Sequence, residues 1–309
     1  MIIAVLGWRS VFFINLPFGL AAMAFTSYGV ACSMVQLERS FDLPGQLAGV
    51  AALGFLAATL IEGGELGWKA PPILAGFALF SLALVVFIAI ERRSAAPMLP
   101  VDFFKIPAVS AIQSVAAIIN FAFYGQFFIL ALFFQKAWGA TPLATGFAFL
   151  PMTVSVTTAN LTVGPKVGRI GGRVPMAVGQ LLCAAGYIGL LRVDQSSAYL
   201  AIFILLAIIG AGGGLVVPAM TSAFLETVGS ERAGIASGVL QASRQIGGVV
   251  GVALFGSLVA QAGLVRGMHQ GQAVAAAAML IGCALTLSYV SRGQAARSAA
   301  ELSQKTSVR

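Results

Sequence analysis

The feature that most constrains this chain is a ninefold recurrence of apolar stretches about as long as a bilayer is thick. They lie, within a few residues, at 11–33, 45–62, 72–91, 108–134, 143–164, 174–192, 198–220, 233–260 and 272–291. A hydrocarbon core of about 30 Å takes roughly 20 helical residues to cross, whereas a spanning strand needs only about 10 and alternates in polarity. The runs show no such alternation, and unpaired backbone amides are too costly in lipid for any open arrangement. The expected fold is therefore all-α, a polytopic membrane helix bundle. Composition agrees: 59% of residues are hydrophobic and 9% charged, against roughly 25% charged in a soluble domain.

The net charge of +8 does not point to nucleic acid, because the basic residues are scattered between the apolar runs instead of forming a patch. They serve instead as topology signals. With Arg9 placed outside, the inside segments hold twelve: Arg39, Arg92, Arg93, Lys105, Lys166, Arg169, Arg173, Arg232, Arg292, Arg297, Lys305 and Arg309. The outside segments hold five, namely Lys69, Lys136, Arg192, Arg266 and Arg9 itself. This bias predicts a multi-pass protein of the cell (inner) membrane with a cytoplasmic C-terminus, and the polar tail 292–309 is expected to be disordered. Cys32, Cys183 and Cys283 each stand alone in an apolar run and read as free, buried thiols; neither a metal nor another cofactor is expected.

Several short motifs are more specific. Gly7-Trp8-Arg9-Ser10-Val11-Phe12-Phe13-Ile14-Asn15-Leu16-Pro17-Phe18-Gly19 closely resembles the W-R-x-x-F-x-I-N-x-P-x-G signature at the sixth helix of the 14-helix drug:proton antiporters, the EmrB/QacA-type branch of the major facilitator superfamily. Phe41-Asp42-Leu43-Pro44-Gly45 resembles the entry to the first of that branch's two extra central helices, and Glu62-Gly63-Gly64-Glu65-Leu66-Gly67-Trp68 the loop between them. Glu231-Arg232-Ala233-Gly234-Ile235-Ala236-Ser237-Gly238 followed by Arg244-Gln245-Ile246-Gly247-Gly248 is similar to the pattern of its penultimate helix. These matches occur in family order.

The resemblance implies a division into the end of helix five with helix six (1–33), two extra central helices with their loops (34–107), a C-terminal six-helix bundle (108–291) and a cytoplasmic tail (292–309). It implies that the family's first five helices, with their acidic proton site, are absent. It also implies export of amphipathic or cationic compounds coupled to protons once an N-terminal half completes the transporter. The partners are then the lipid bilayer, an amphipathic small molecule and protons.

Candidate site residues fall into two groups. The turn Gly164-Pro165-Lys166-Val167-Gly168-Arg169-Ile170-Gly171-Gly172-Arg173 resembles the second copy of the superfamily's G-x-x-x-D-R-x-G-R-R loop. Its working positions are Gly164, Lys166, Gly168, Arg169, Gly171 and Arg173, and Gly168 stands where the motif has an acid. A merely basic inside turn is the alternative. The second group is a set of helical stripes at 100° per residue: Gln113, Asn120 and Tyr124; Phe149, Thr153, Thr157 and Asn160; and Ser237, Gln241, Arg244 and Phe255. In the resembled family the corresponding helices line the central cavity; interhelical hydrogen bonding is the alternative. Arg244 is the only charge well inside a run, about 15 Å deep at roughly 1.5 Å per residue. A central cation costs about 2.5–3.5 kcal/mol on insertion scales. Its partner could be Glu226, backbone carbonyls or a carboxylate of the absent half, or it could staple helices or snorkel.

Repeated Gly-x-x-x-Gly pairs, at Gly45 and Gly49, Gly210 and Gly214, Gly234 and Gly238, and Gly247 and Gly251, are expected to pack helices closely within the bundle. Gly212 to Gly214 with Pro218 mark a bendable seventh helix, and His269, in an outside loop, receives no role. A membrane-embedded enzyme would need paired acids, metal ligands or a nucleophile with its base at membrane depth. All ten acids map to loops or helix ends. Two readings remain: part of a secondary transporter, or a truncated, non-transporting fragment of one. The topology is directly testable: reporter fusions after Arg173 and Arg292 should read cytoplasmic and one after His269 outside. A cytoplasmic signal at His269 would show the helix count to be wrong.

Overall fold

The computed structural model describes residues 13, 15–29, 43–93, 105–229 and 233–290, and every regular element among them is helical. The chain divides into two units, Met1–Phe41 and Asp42–Arg309. In the first, α1 (Asn15–Gly29) is apolar and exposed along its length from Asn15 to Tyr28. Such a helix is stable only where lipid or further helices cover it. The tail and Cys32 lie outside the described residues.

The second unit begins with a hairpin of α2 (Leu43–Leu66) and α3 (Pro71–Arg93). Then comes α4 (Pro107–Leu132), which runs into a π turn, Phe133–Ala137. The next crossing is broken: α5 (Pro142–Ala148) yields to α6 (Leu150–Val163) at Phe149, where Pro151 occupies the first turn of the new helix and cannot donate to the old one. A 3₁₀ turn at Gly164–Lys166 and the single turn α7 (Val167–Ile170) lead to α8 (Arg173–Leu190). The chain continues through α9 (Tyr199–Val228), α10 (Ala233–Ala262) and α11 (Leu264–Tyr289). Among the described residues of this unit, eight segments are long and apolar enough to cross a membrane, matching the runs from 45–62 onward. The end that carries Gly164–Arg173 is the basic end of the bundle.

Two boundaries differ from the expectation. The seventh crossing continues eight residues past 220, to Val228. Thr221 and Thr227 return their hydroxyls to the carbonyls of Val217 and Ala223, at 2.9 and 2.7 Å, so polar side chains extend the helix without ending it. The ninth crossing starts at Leu264, after Gly263 at φ 82°, and not at 272. Arg266 and His269 therefore ride on a helix. His269 is no loop residue: its Nε2 lies 2.7 Å from the carbonyl oxygen of Val193.

Lipid tails are as apolar as leucine, so helices here associate through close packing and hydrogen bonds. The glycines supply the packing. A β-carbon at Gly247 would collide with the backbone of Ala117, and one at Gly251 with that of Phe121. These contacts lay α10 against α4 in parallel, with a constant offset of 130 residues (247 − 117 and 251 − 121). On α9, Gly210 and Gly214 meet the carbonyls of Met152 and Val156 on α6, while Gly212 meets Gly179 and Cys183 on α8. The glycine-rich stretch is continuous helix, with Pro218 inside it, and packs between two neighbours. Gly234 and Gly238 face open space, so their spacing carries no packing role among the described residues.

Buried polar pairs tie α11 to the bundle. Gln272 Nε2 donates to Gln126 on α4, and Thr286 Oγ1 donates to Gln180 Oε1 on α8 at 3.0 Å. Cys183 and Cys283 are free and buried, as expected, with their thiols directed to the carbonyls of Ile209 and Ala177. Trp68 fastens the α2–α3 hairpin to α10 by donating its indole N–H to Ser257 Oγ at 3.2 Å. Overpacking of the α4–α10 seam gives a direct check: Gly247→Val should lower stability in detergent by about 1–3 kcal/mol or more, whereas Gly238→Ala should change it by less than about 0.5 kcal/mol. Equal thermal shifts for the two would refute the close approach.

Candidate functional site

Between α4, α6 and α9 lies a cavity of about 240 Å³. Helix α4 contributes Ile119, Asn120, Phe123, Tyr124 and Phe127, α6 contributes Val156, and α9 contributes Gly213 and Val217. Gly213 leaves the space that Phe123 approaches; a β-carbon there would sit 3.3 Å from its ring. The lining combines aromatic faces with one amide and one phenol, the mixture that a small amphipathic molecule requires. Asn120 spends one N–H on the Ala116 carbonyl, at 3.0 Å, and keeps its carbonyl oxygen. Tyr124 rests on Gly248 of α10, where a β-carbon would stand 3.0 Å from the ring.

A larger hollow, about 800 Å³, opens at the other end of the bundle between α5–α6 and the start of α9, with Phe134, Trp138, Phe147, Val154, Tyr199 and Phe203 among its walls. It holds no charged side chain, and Phe147, Leu150, Val154 and Phe203 are exposed there. Lipid tolerates such a wall and water does not. The smaller cavity is therefore the better candidate site, and it is the one that meets the candidate residues.

Arg244 stands one turn nearer the basic end than Gly248 on α10, and Thr221 one turn nearer it than Val217 on α9. The two meet: Nη2 of Arg244 donates to Thr221 Oγ1 at 3.1 Å. Because the threonine proton goes to the Val217 carbonyl, its lone pairs are free to accept. The guanidinium is half-buried, and its Nε has no partner among the described residues. Glu226, the acid that the sequence offers as a partner on the preceding helix, accepts from Ser222 at 3.0 Å instead.

The stripes separate on folding. Asn120 and Tyr124 line the cavity, while Gln113 sits deeper in the α4 core, 4% exposed, with neither amide atom partnered among the described residues. Thr153 and Thr157 are exposed and return their hydroxyls to the carbonyls of Phe149 and Thr153. Asn160 is half-buried on the same helix, and its carbonyl accepts from Gly164. Phe149 is buried against Phe127, with ring centroids 4.7 Å apart. On α10, Ser237 and Gln241 are exposed. Phe255 is wholly buried, edge-on to Phe121 at 5.4 Å and close to Gly125 and Gly271. One face of α10 thus meets α9 at Arg244 and α4 with α11 at Phe255. Sequence reasoning missed Thr221 because it ended that helix one residue too soon; it missed Phe123, Val156 and Val217 because apolar residues give no signal among other apolar residues.

In the basic loop, Gly171 takes φ 76° and closes α7, and a β-carbon on Gly172 would press on Ala219 and Ala223 of α9. Arg173 reaches across to the Leu287 carbonyl of α11, while Lys166 and Arg169 are exposed and Gly168 faces open space. At the opposite end, the 191–198 loop is held by Trp138 Nε1 on the Gln195 carbonyl, at 3.1 Å, and by His269 on Val193. Hydrogen bonds from Ser196 and Ser197 hold the Asp194 carboxyl below its ordinary pKa.

The Major Facilitator Superfamily model matches this chain over residues 43–252 and 113–308. The chain belongs to the major facilitator superfamily. It is 33% identical to the methylenomycin A resistance protein of Streptomyces coelicolor over 256 residues, which is 83% of this chain and 54% of that protein. It is 34% identical to the multidrug resistance protein Stp of Mycobacterium tuberculosis over 254 residues, 82% of this chain and 47% of Stp. With the multidrug transporter protein MdtP of Bacillus subtilis it shares 30% over 257 residues, 82% of this chain and 47% of MdtP. The chain thus spans about half the length of the curated relatives it matches. As a facilitator-superfamily protein with eight apolar spans among its described residues it is an integral, multi-pass membrane protein of a transporter family.

For the facilitator loop the geometry makes an asymmetric prediction. Gly171→Ala forces a side chain into an extended positive-φ conformation that only glycine adopts readily, at a cost of about 1–3 kcal/mol, and should lower thermal stability. Gly168→Asp has open space, should be tolerated, and should slow thiol labelling of a cysteine placed at Ile170 by offering Arg169 a carboxylate. Unchanged labelling would refute a latch at that position.

Proposed function

We propose that this chain supplies the substrate-facing second half of a proton-coupled exporter of amphipathic small molecules in the 14-helix drug-antiporter branch. The observation that carries the reading is the cavity between α4, α6 and α9, where Asn120 and Tyr124 stand among Phe123, Phe127 and Val217. That relatives bear names of antibiotic resistance and multidrug transport supports it. The Trp8-to-Gly19, Glu62-to-Trp68 and Arg244-to-Gly248 motifs support the branch, with α2 and α3 as its two extra helices. On this reading the membrane is the cell's inner membrane, the basic end is cytoplasmic, and Lys166 and Arg169 face lipid phosphates there.

Transport by alternating access takes two bundles rocking about a central site. Coupling takes a group that gains and loses a proton at membrane depth. Among the described residues the cavity holds no Asp, Glu or His, and Arg244 stays protonated at any working pH. On this reading the proton carrier belongs to the helices that precede helix six in the resembled branch. The same lack of a carboxylate means that any preference for cationic compounds also comes from those helices.

The alternative, a non-transporting fragment, shares every feature described above. Dye efflux separates the two. The 309-residue chain alone should insert in the membrane and give no uncoupler-sensitive efflux. The same chain joined behind the first five helices of a relative such as Stp should export dye, and Tyr124→Ala with Asn120→Ala should cut that export severalfold. Robust uncoupler-sensitive efflux from the chain alone, or export indifferent to both cavity substitutions, would overturn the proposal.

A further inference from the structure

We infer that Arg244 and Thr221 form an anion subsite at the floor of the cavity, so that this half of the protein selects amphipathic molecules bearing a carboxylate, sulfonate or phenolate. The inference rests on the cavity reading above and adds the chemical class of ligand to it.

Three observations converge. Tyr124 and Val217 line the cavity, Gly248 backs Tyr124, and both neighbouring helices place their next inward polar group one turn closer to the basic end, where Arg244 and Thr221 meet. A ligand whose rings lie against Phe123 and Tyr124 would hold a terminal group within about a helical turn, roughly 5.4 Å, of the guanidinium. The threonine is an orienting partner only. It accepts one N–H through a neutral oxygen, and among the described residues neither a carboxylate pairs with the charge nor an acceptor with the buried Nε.

In a low-dielectric site such a cation is costly until an anion arrives, and a guanidinium offers its donors as a planar fork matched to two oxygens of one anionic group. The parallel offset of 130 residues between α10 and α4 sets Arg244 level with Ser114, next to Gln113. The Gln113 amide is buried, and neither its nitrogen nor its oxygen has a partner among the described residues. Beneath the cavity's lining, a cation with no anionic partner among the described residues and an unspent amide thus stand at one height, and no described Asp or Glu lines the cavity to compete for either. A cationic ligand would meet repulsion there.

A matched pair of probes tests the assignment. 8-Anilinonaphthalene-1-sulfonate and N-phenyl-1-naphthylamine share an aryl amine skeleton and differ in the sulfonate. Both are titrated into the full 309-residue chain in phosphatidylcholine nanodiscs, with empty nanodiscs as the blank. The wild-type chain should bind the sulfonate at least about tenfold more tightly than Arg244→Gln does, a difference the size of one charge-assisted contact. Arg244→Lys should recover part of that loss, and the neutral probe should bind wild type and both variants alike.

Equal sulfonate affinity in wild type and Arg244→Gln would overturn the anion subsite while leaving the cavity reading intact, provided the neutral probe still binds. Parallel loss of both probes in Arg244→Gln would also overturn it, marking Arg244 as a helix staple. Failure of the neutral probe to bind wild type above the blank, or neutral-probe binding unaffected by Tyr124→Ala, would overturn the cavity reading itself.

Discussion

Inside a bilayer no water satisfies a backbone amide, so each helix must close its own hydrogen bonds, and helices must then find one another without a hydrophobic drive. The close approach of α10 to α4 solves the second problem. Gly247 and Gly251 bring two backbones together at Ala117 and Phe121 and fix a parallel register. That register sets the height of Arg244 against Gln113 and carries Gly248 beneath Tyr124. Gly210, Gly212 and Gly214 do the same for α9 between α6 and α8, and so place Val217 in the cavity wall.

The bundle spends its buried polarity in two ways. The Gln126–Gln272 and Gln180–Thr286 pairs are internal to the helix contacts and hold α11 in place. The Arg244–Thr221 pair differs because it joins a charge to a neutral acceptor, one helical turn from Gly248 on α10 and from Val217 on α9. A charge so placed insists on a functional explanation, since a helix staple could be built from two amides at lower cost.

The apolar runs made eight of the crossings legible, because length and hydropathy are properties of a segment by itself. The ends were less legible. Hydropathy falls at Thr221 after the seventh run and, past the eighth, rises again only at 272, but a threonine that bonds back to its own helix and a histidine that bonds to a neighbouring loop are polar without being loop residues. The motifs from Trp8 to Gly248 led to the superfamily to which the chain belongs. Of the stripes, only Asn120 and Tyr124 line the cavity. A wheel at 100° per residue assigns each residue an angle, but crossing helices change neighbours along their length, which is why Arg244 and Phe255 share an angle and not a partner. Thr153 and Thr157 spend their hydroxyls within α6 and need no second helix. The apolar wall of the cavity could not be distinguished from lipid-facing residues in a chain that is 59% hydrophobic.

The central claim is that the face of α4 and α9 around Tyr124 and Val217, and not the larger apolar hollow around Phe203, receives small amphipathic molecules. Single cysteines at Val217 and Phe203 in a cysteine-free background, treated with a water-soluble thiol reagent in nanodiscs, test it most directly. The account predicts that the cysteine at 217 reacts and is protected by N-phenyl-1-naphthylamine, while the one at 203 is neither readily labelled nor protected. Protection at 203 with an unreactive cysteine at 217 would contradict it.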